Sequence, residues 1–150
     1  MEALKGLRCT LVLLGRLDEE IQKKLASCGT SYVNHVDLTE DEVRREYVNC
    51  DIVSFVSLGE GFGLPIIEGQ ATGRPVITAD LSPMRDVAGD GACLVDPLDV
   101  DQIREGFNKI ISDAAYRRQL VERGQRNVIR YSPATISGRY LDLYRRMARS

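Results

Sequence analysis

The sequence predicts an α/β domain, with a parallel sheet of about five strands flanked by helices and followed by helices alone. Three observations carry that prediction. Short apolar runs bounded by turn residues alternate with amphipathic stretches as far as Pro97, the pattern of repeated strand–helix units. The connections between these segments are only a few residues long, which suits crossovers between neighbouring strands. From Asp99 onward the apolar residues keep helical spacing only.

The elements follow in order. Met1 to Leu7 reads as the last turns of a helix, with Gly6 near its end. Thr10 to Leu14 is a buried strand ended by Gly15. Asp18 N-caps a helix over 19–28 whose inner face includes Ile21 and Leu25, and Gly29 stops it. Ser31 to Val36 is a second strand. Thr39 caps a helix over 40–49, and Glu42 completes a capping box. Val43, Tyr47 and Val48 give that helix its apolar face.

Ile52 to Val56 reads as a buried parallel strand, followed by a glycine-rich turn. A helix starts near Leu64, with Pro65 where a missing N–H costs nothing, and Gly73 ends it. Pro75 to Ala79 is the next strand. Ser82-Pro83 opens a short helix to about Ala88, and Ala92 to Val95 is the last strand. Asp99 and Gln102 pair as a capping box for a helix with Val100, Ile103, Phe107, Ile110 and Ile111 on its apolar face. A second helix runs from about Ala114 to Tyr131. A third begins at Ser132-Pro133, with Ile136, Tyr140, Leu143, Tyr144 and Met147 on one face.

The turn over 57–63 is where chemistry concentrates. Strand, glycine-rich turn and helix N-terminus together form a ready anion site, with backbone N–H groups and the positive dipole end pointing above the strand. Two carboxylates frame it: Glu60 on the loop and Glu68 about one turn into the helix. An ionised carboxylate only accepts hydrogen bonds, so beside a diphosphate it suits sugar hydroxyls. The combination points to a nucleotide sugar. A structural role is the competing reading, since glycines before a helix are common and a first-turn Glu also complements the dipole.

The stretch from Ile52 to Pro97 resembles retaining glycosyltransferases of the GT-B fold, group 1 (family 4), in their C-terminal, donor-binding domain. The matching residues are Ser57, Glu60-Gly61-Phe62-Gly63-Leu64-Pro65, Glu68, Gly73-Arg74-Pro75-Val76-Ile77 and Ala92-Cys93-Leu94-Val95-Asp96-Pro97. The resemblance implies a Rossmann-like domain that binds an NDP-sugar, UDP- or GDP-linked, in an enzyme that transfers a hexosyl group to an acceptor. It implies Glu60 near the reaction centre. Backbone N–H groups of Phe62, Gly63 and Leu64 would face sugar and diphosphate, with Ser57 and Gly61 in the same loop and Glu68 on the ribose hydroxyls. The resemblance implies no cofactor and no metal. A non-catalytic nucleotide-sugar-binding or interaction module is the alternative.

The family's domain opens with a strand, Gly-Arg and a later Lys that hold the donor diphosphate. Gly15-Arg16 resembles that element superficially, and both residues are carried as donor-binding candidates. The spacing instead makes Gly15 the end of the family's second strand. On this reading residues 1–150 are a single domain truncated at its N-terminal strand, lacking the acceptor-binding N-terminal domain. The absent strand would lie between the Thr10 and Ile52 strands. Those strands either close up or leave a gap for another chain, and exposed edges favour self-association. Two residues depart from the family pattern: Asp86 stands where Glu is usual, and Gly69 where Ala is usual, which suggests close backbone packing.

Composition narrows the classes further. At 43% hydrophobic in 150 residues, the chain has enough core for one domain. Cys9, Cys28, Cys50 and Cys93 are scattered and no His cluster accompanies His35, so free thiols in a cytoplasmic setting are expected. Residues 1–100 hold 9 basic and 17 acidic side chains, whereas residues 101–150 hold 11 basic and 5 acidic. The arginines from Arg117 to Arg149 suit an anionic membrane surface at the inner face, or simply a solvated helix face. No aromatic-basic platform for nucleic acid accompanies them. A phosphoacceptor receiver domain is excluded, because Ser57 and Gly59 follow the central strand where that fold needs an Asp.

Overall fold

The computed structural model describes residues 1–149. A 3-10 turn at Glu2–Leu4 precedes β1 (Thr10–Leu14), α1 (Glu19–Cys28), β2 (Ser31–His35) and α2 (Glu40–Asn49). Next come β3 (Val53–Phe55), α3 (Leu64–Ala71), β4 (Val76–Ala79), α4 (Met84–Ala88) and β5 (Ala92–Val95). Helices α5 (Val100–Ser112), α6 (Ala114–Val128) and α7 (Pro133–Met147) complete the chain, with a 3-10 turn at Ile129–Tyr131 between the last two. This is the Rossmann-like α/β order read from the sequence.

All strand pairs are parallel, but they form two sheets: β1-β2, and β3-β4-β5 with β4 central. Register aligns Thr10 with Ser31 in the first, and Val53 with Val76 and Val76 with Ala92 in the second. The outer strands β1 and β3 do not close up. An open cleft of about 2120 Å³ separates them, lined by β1, β3, Tyr47, Cys50, Ile103 and Phe107. One edge each of β1 and β3 therefore has no strand partner among the described residues.

That cleft corrects the expectation of a buried first strand. Val12 and Leu14 are 38% and 42% exposed, and the side chains of β1 alternate between half-buried and exposed. By contrast, Val76, Ile77, Thr78 and Ala79 of β4 are all fully buried. Val76 joins a cluster with Val53, Ile66, Met84, Val87 and Ala88. Ile77 packs on the opposite side with Cys93, Val95, Phe107, Ile110 and Leu120. A strand covered on both faces reads as a continuous apolar run, as Val76-Ile77 does.

Local signals set most boundaries. Asp18 accepts from the Ile21 N–H, and Gly29 takes the left-handed conformation after α1. Thr39 and Glu42 form the reciprocal capping box of α2. Gly69 lets α3 lie directly on the sheet: a Cβ there would stand 3.0 Å from Val53 and Val76 side-chain atoms. The expected close packing is therefore present.

Other details differ from the sequence reading. Asp99 caps α5 through the Gln102 N–H, but the Gln102 side chain accepts from the Asp96 N–H, so no capping box closes. Ile111 is 52% exposed, because the inner face of α5 is already filled by Phe107 and Ile110. The expected single helix to Tyr131 ends at Val128 and tightens into the 3-10 turn. The apolar face of α7 stays uncovered; none of its residues is buried.

Candidate functional site

The site is built where β3 stops and its chain crosses to α3, at the carboxyl ends of the strands. The buried Thr78 hydroxyl donates to the Phe55 carbonyl at 2.7 Å, fixing the end of β3 to β4. Gly63 then enters α3 at φ 101°, where a side chain would be strained, and a Cβ would also meet Ile66 Cδ1 at 3.0 Å.

No side chain caps α3. Asp18, Thr39, Asp99, Asp113 and Ser132 cap α1, α2, α5, α6 and α7, each accepting from the first turn. Gly63 offers no such acceptor, so the positive end of α3 is left to whatever anion meets it.

Glu60 and Glu68 are both exposed at this end of the sheet. The Glu68 carboxylate sits against the Tyr47 hydroxyl from α2; burial first, and then this carboxylate, push the Tyr47 phenol well above its ordinary range. Arg74, just beyond α3, donates to the Val48 carbonyl and ties the same two helices together. Ser57 is turned inward on its own loop, donating to the Gly59 carbonyl at 3.3 Å. Phe62 and Leu64 are 42% and 60% exposed beside Gly61 and Gly63. The Phe62 ring meets Tyr131 edge-on, with centroids 5.8 Å apart.

Gly15 and Arg16 lie at the end of β1, on the other side of the cleft. Gly15 donates its N–H to the His35 carbonyl at 2.8 Å. Arg16 spans both oxygens of Asp37 at 3.2 Å, with both side chains largely exposed, so the pair contributes little stability. Asp86 accepts from the Ser82 hydroxyl at 2.7 Å and thus holds the start of α4.

A buried polar network fastens α3 from behind. Gln70 donates to the Ala88 carbonyl at 2.9 Å, and Asn127 donates to Gln70 Oε1 and the Val87 carbonyl, both at 2.8 Å. Arg130 donates to Asn127 Oδ1 at 2.8 Å, completing the set. Such networks specify one packing when every member is satisfied. Sequence reading missed Thr78, Tyr47 and Tyr131 as members of this neighbourhood. Tyr47 and Tyr131 read only as helix residues; their one signal was that half-buried tyrosines seek a partner for the hydroxyl. Among the described residues, no three His, Cys, Asp or Glu side chains are grouped to hold a metal ion.

Comparison with known proteins decides the family. The family described as "Glycosyl transferases group 1" matches residues 1–127. The chain belongs to this family. It is 29% identical over 113 residues to MMP alpha-(1->4)-mannosyltransferase of Mycolicibacterium hassiacum, a match covering 72% of this chain and 28% of that protein. Sucrose-phosphate synthase of Thermosynechococcus elongatus superposes with a TM-score of 0.84 at 22% identity, over 99% of this chain and 41% of that one. HepE of Anabaena, solved in complex with UDP-glucose, superposes with a TM-score of 0.79 at 19% identity, over 95% and 42% of the two chains. The chain thus spans less than half the length of these proteins, and its fold is that of a GT-B C-terminal domain.

Proposed function

We propose that this group 1 domain binds the nucleotide-sugar donor of a retaining glycosyltransferase, which moves a hexosyl group from a UDP- or GDP-linked sugar. The observation that carries the reading is the uncapped N-terminus of α3 behind the Gly61–Gly63 turn, flanked by Glu60 and Glu68. The turn's N–H groups and the α3 dipole receive the diphosphate and stabilise the charge that grows on it as the sugar leaves. Glu68, oriented by Tyr47, accepts from the ribose hydroxyls. Glu60 accepts from a hydroxyl of the transferred sugar and positions it, without acting as nucleophile.

The UDP-glucose complex of HepE supports a nucleotide-sugar donor, and the relative's name, a mannosyltransferase, supports a hexosyl group. The acceptor belongs to the rest of such an enzyme. The exposed apolar side chains Tyr140, Leu143, Tyr144 and Met147 of α7 form the contact to it in this reading. Glu60→Gln in the whole protein is expected to lower kcat by about 100-fold or more with a small change in donor KM. Turnover near the native rate would refute the role of Glu60.

A further inference from the structure

We infer that Tyr131 is a positioning residue for donor binding, acting through Phe62 on the turn that faces the diphosphate. The inference rests on the donor-site reading above and adds a residue to it from outside the motif. Glycines at 59, 61 and 63 give the loop large backbone freedom. Its own side chains restrain it little: Ser57 closes a local turn, Leu58 is 66% exposed and Glu60 is exposed. Phe62 is the side chain that reaches another element, meeting Tyr131 at an interplanar angle of 81°.

Tyr131 is itself held by two other contacts. Its hydroxyl donates to the Val87 carbonyl at 3.3 Å, and the Arg130 guanidinium lies over its ring at 5.5 Å. Arg130 is anchored to Asn127, and Asn127 to Gln70 within α3. The connection therefore runs from the turn, through Phe62 and the 3-10 turn after α6, back into the helix that the turn opens. Both ends of the anion-facing backbone are referred to one rigid body. Holding those N–H groups in place before the donor arrives removes ordering entropy from binding.

The test titrates UDP and GDP into the whole protein in five forms: native, Tyr131→Ala, Tyr131→Phe, Phe62→Ala and the double alanine variant. Tyr131→Ala is expected to weaken binding about threefold to tenfold, the scale of one aromatic pair. Tyr131→Phe, which keeps the ring, its packing and its Arg130 contact and loses only the long 3.3 Å hydrogen bond, is expected to stay within about twofold of native. The double variant is expected to bind no more weakly than Phe62→Ala alone, because Tyr131 acts through that ring. Additive losses in the double variant would overturn the inference, as would native affinity in Tyr131→Ala or equal loss in Tyr131→Phe. If Tyr131→Ala fails to fold, Tyr131→Leu, which also removes the ring, takes its place: native affinity in it, or in Phe62→Ala, overturns the inference. Failure of the native protein to bind either nucleotide would refute the donor-site reading itself, and the inference with it.

Discussion

The two sheets of this domain obey the same strand–helix grammar and differ in what covers them. In the β3-β4-β5 half, β4 is wholly buried between two apolar clusters, and Ile66, Ile77, Met84 and Ile110 have no exposure. There β3, at the edge facing the cleft, buries Val53 and leaves Ser54 exposed, short of the fully buried strand expected over 52–56. In the β1-β2 half, Val12, Leu14, Tyr32 and Val33 are each about 40% exposed, and α2 buries no residue fully. The motif loop is rooted in the closed half, on β3 and α3. The proposed anion site, made of backbone N–H groups, needs such a base, because its donors are only as well aimed as the backbone that carries them. The open half supplies Tyr47 to Glu68 across the joint between α2 and α3.

Core truncation should separate the two halves by the widest margin. Ile77→Ala in the closed half is expected to cost about 3–5 kcal/mol, while Val12→Ala in the open half costs about 1 kcal/mol or less. Chemical denaturation of the two variants measures both, and equal losses would erase the distinction. Alkaline titration gives an intermediate effect that samples both halves. Tyr47 and Tyr116 have phenols raised mainly by burial, with Glu68 adding to the first and Cys93 to the second. A phenol raised above its unfolded value of about 10 stabilises the fold fully below that pH and loses its contribution as pH rises toward the folded value. Ultraviolet absorbance should therefore show both tyrosines ionising only together with unfolding. Early ionisation of Tyr47 would mean that the joint between α2 and α3 is looser than described. The smallest effect is one on which the halves should agree. Thr39→Ala on α2 and Asp113→Ala on α6 each remove a local cap and should each cost about 1 kcal/mol in a thermal melt.

Much of this was legible in the sequence where the cause is local. Asp18, Thr39 and Ser132 mark helix starts by chemistry contained within one turn, and Gly29 and Gly63 mark backbone conformations that side chains disfavour. The turn over 57–63 and the start of α3 were legible because their residues are consecutive and their order carries the family resemblance. What was not legible depends on partners distant in the chain. The apolar run Thr10–Leu14 looks as buried as Val76-Ile77, and only the tertiary arrangement leaves it beside an open cleft. Gln102 forsakes the Asp99 N–H for that of Asp96, a choice between nearby donors that spacing does not decide. Tyr131 reaches Phe62 only because Gln70, Asn127 and Arg130 bring the end of α6 back to α3.

Whether the open N-terminus of α3, with Glu68 beside it, is a nucleotide-sugar site is decided by calorimetric titration of the whole protein with UDP, GDP, ADP and dTDP, native and as Glu68→Ala. Binding selective for UDP or GDP is expected, weakened about tenfold or more by Glu68→Ala as charge-assisted bonds to the ribose are lost. Equal affinity in the variant, or no binding of any of the four by the folded protein, would refute the site.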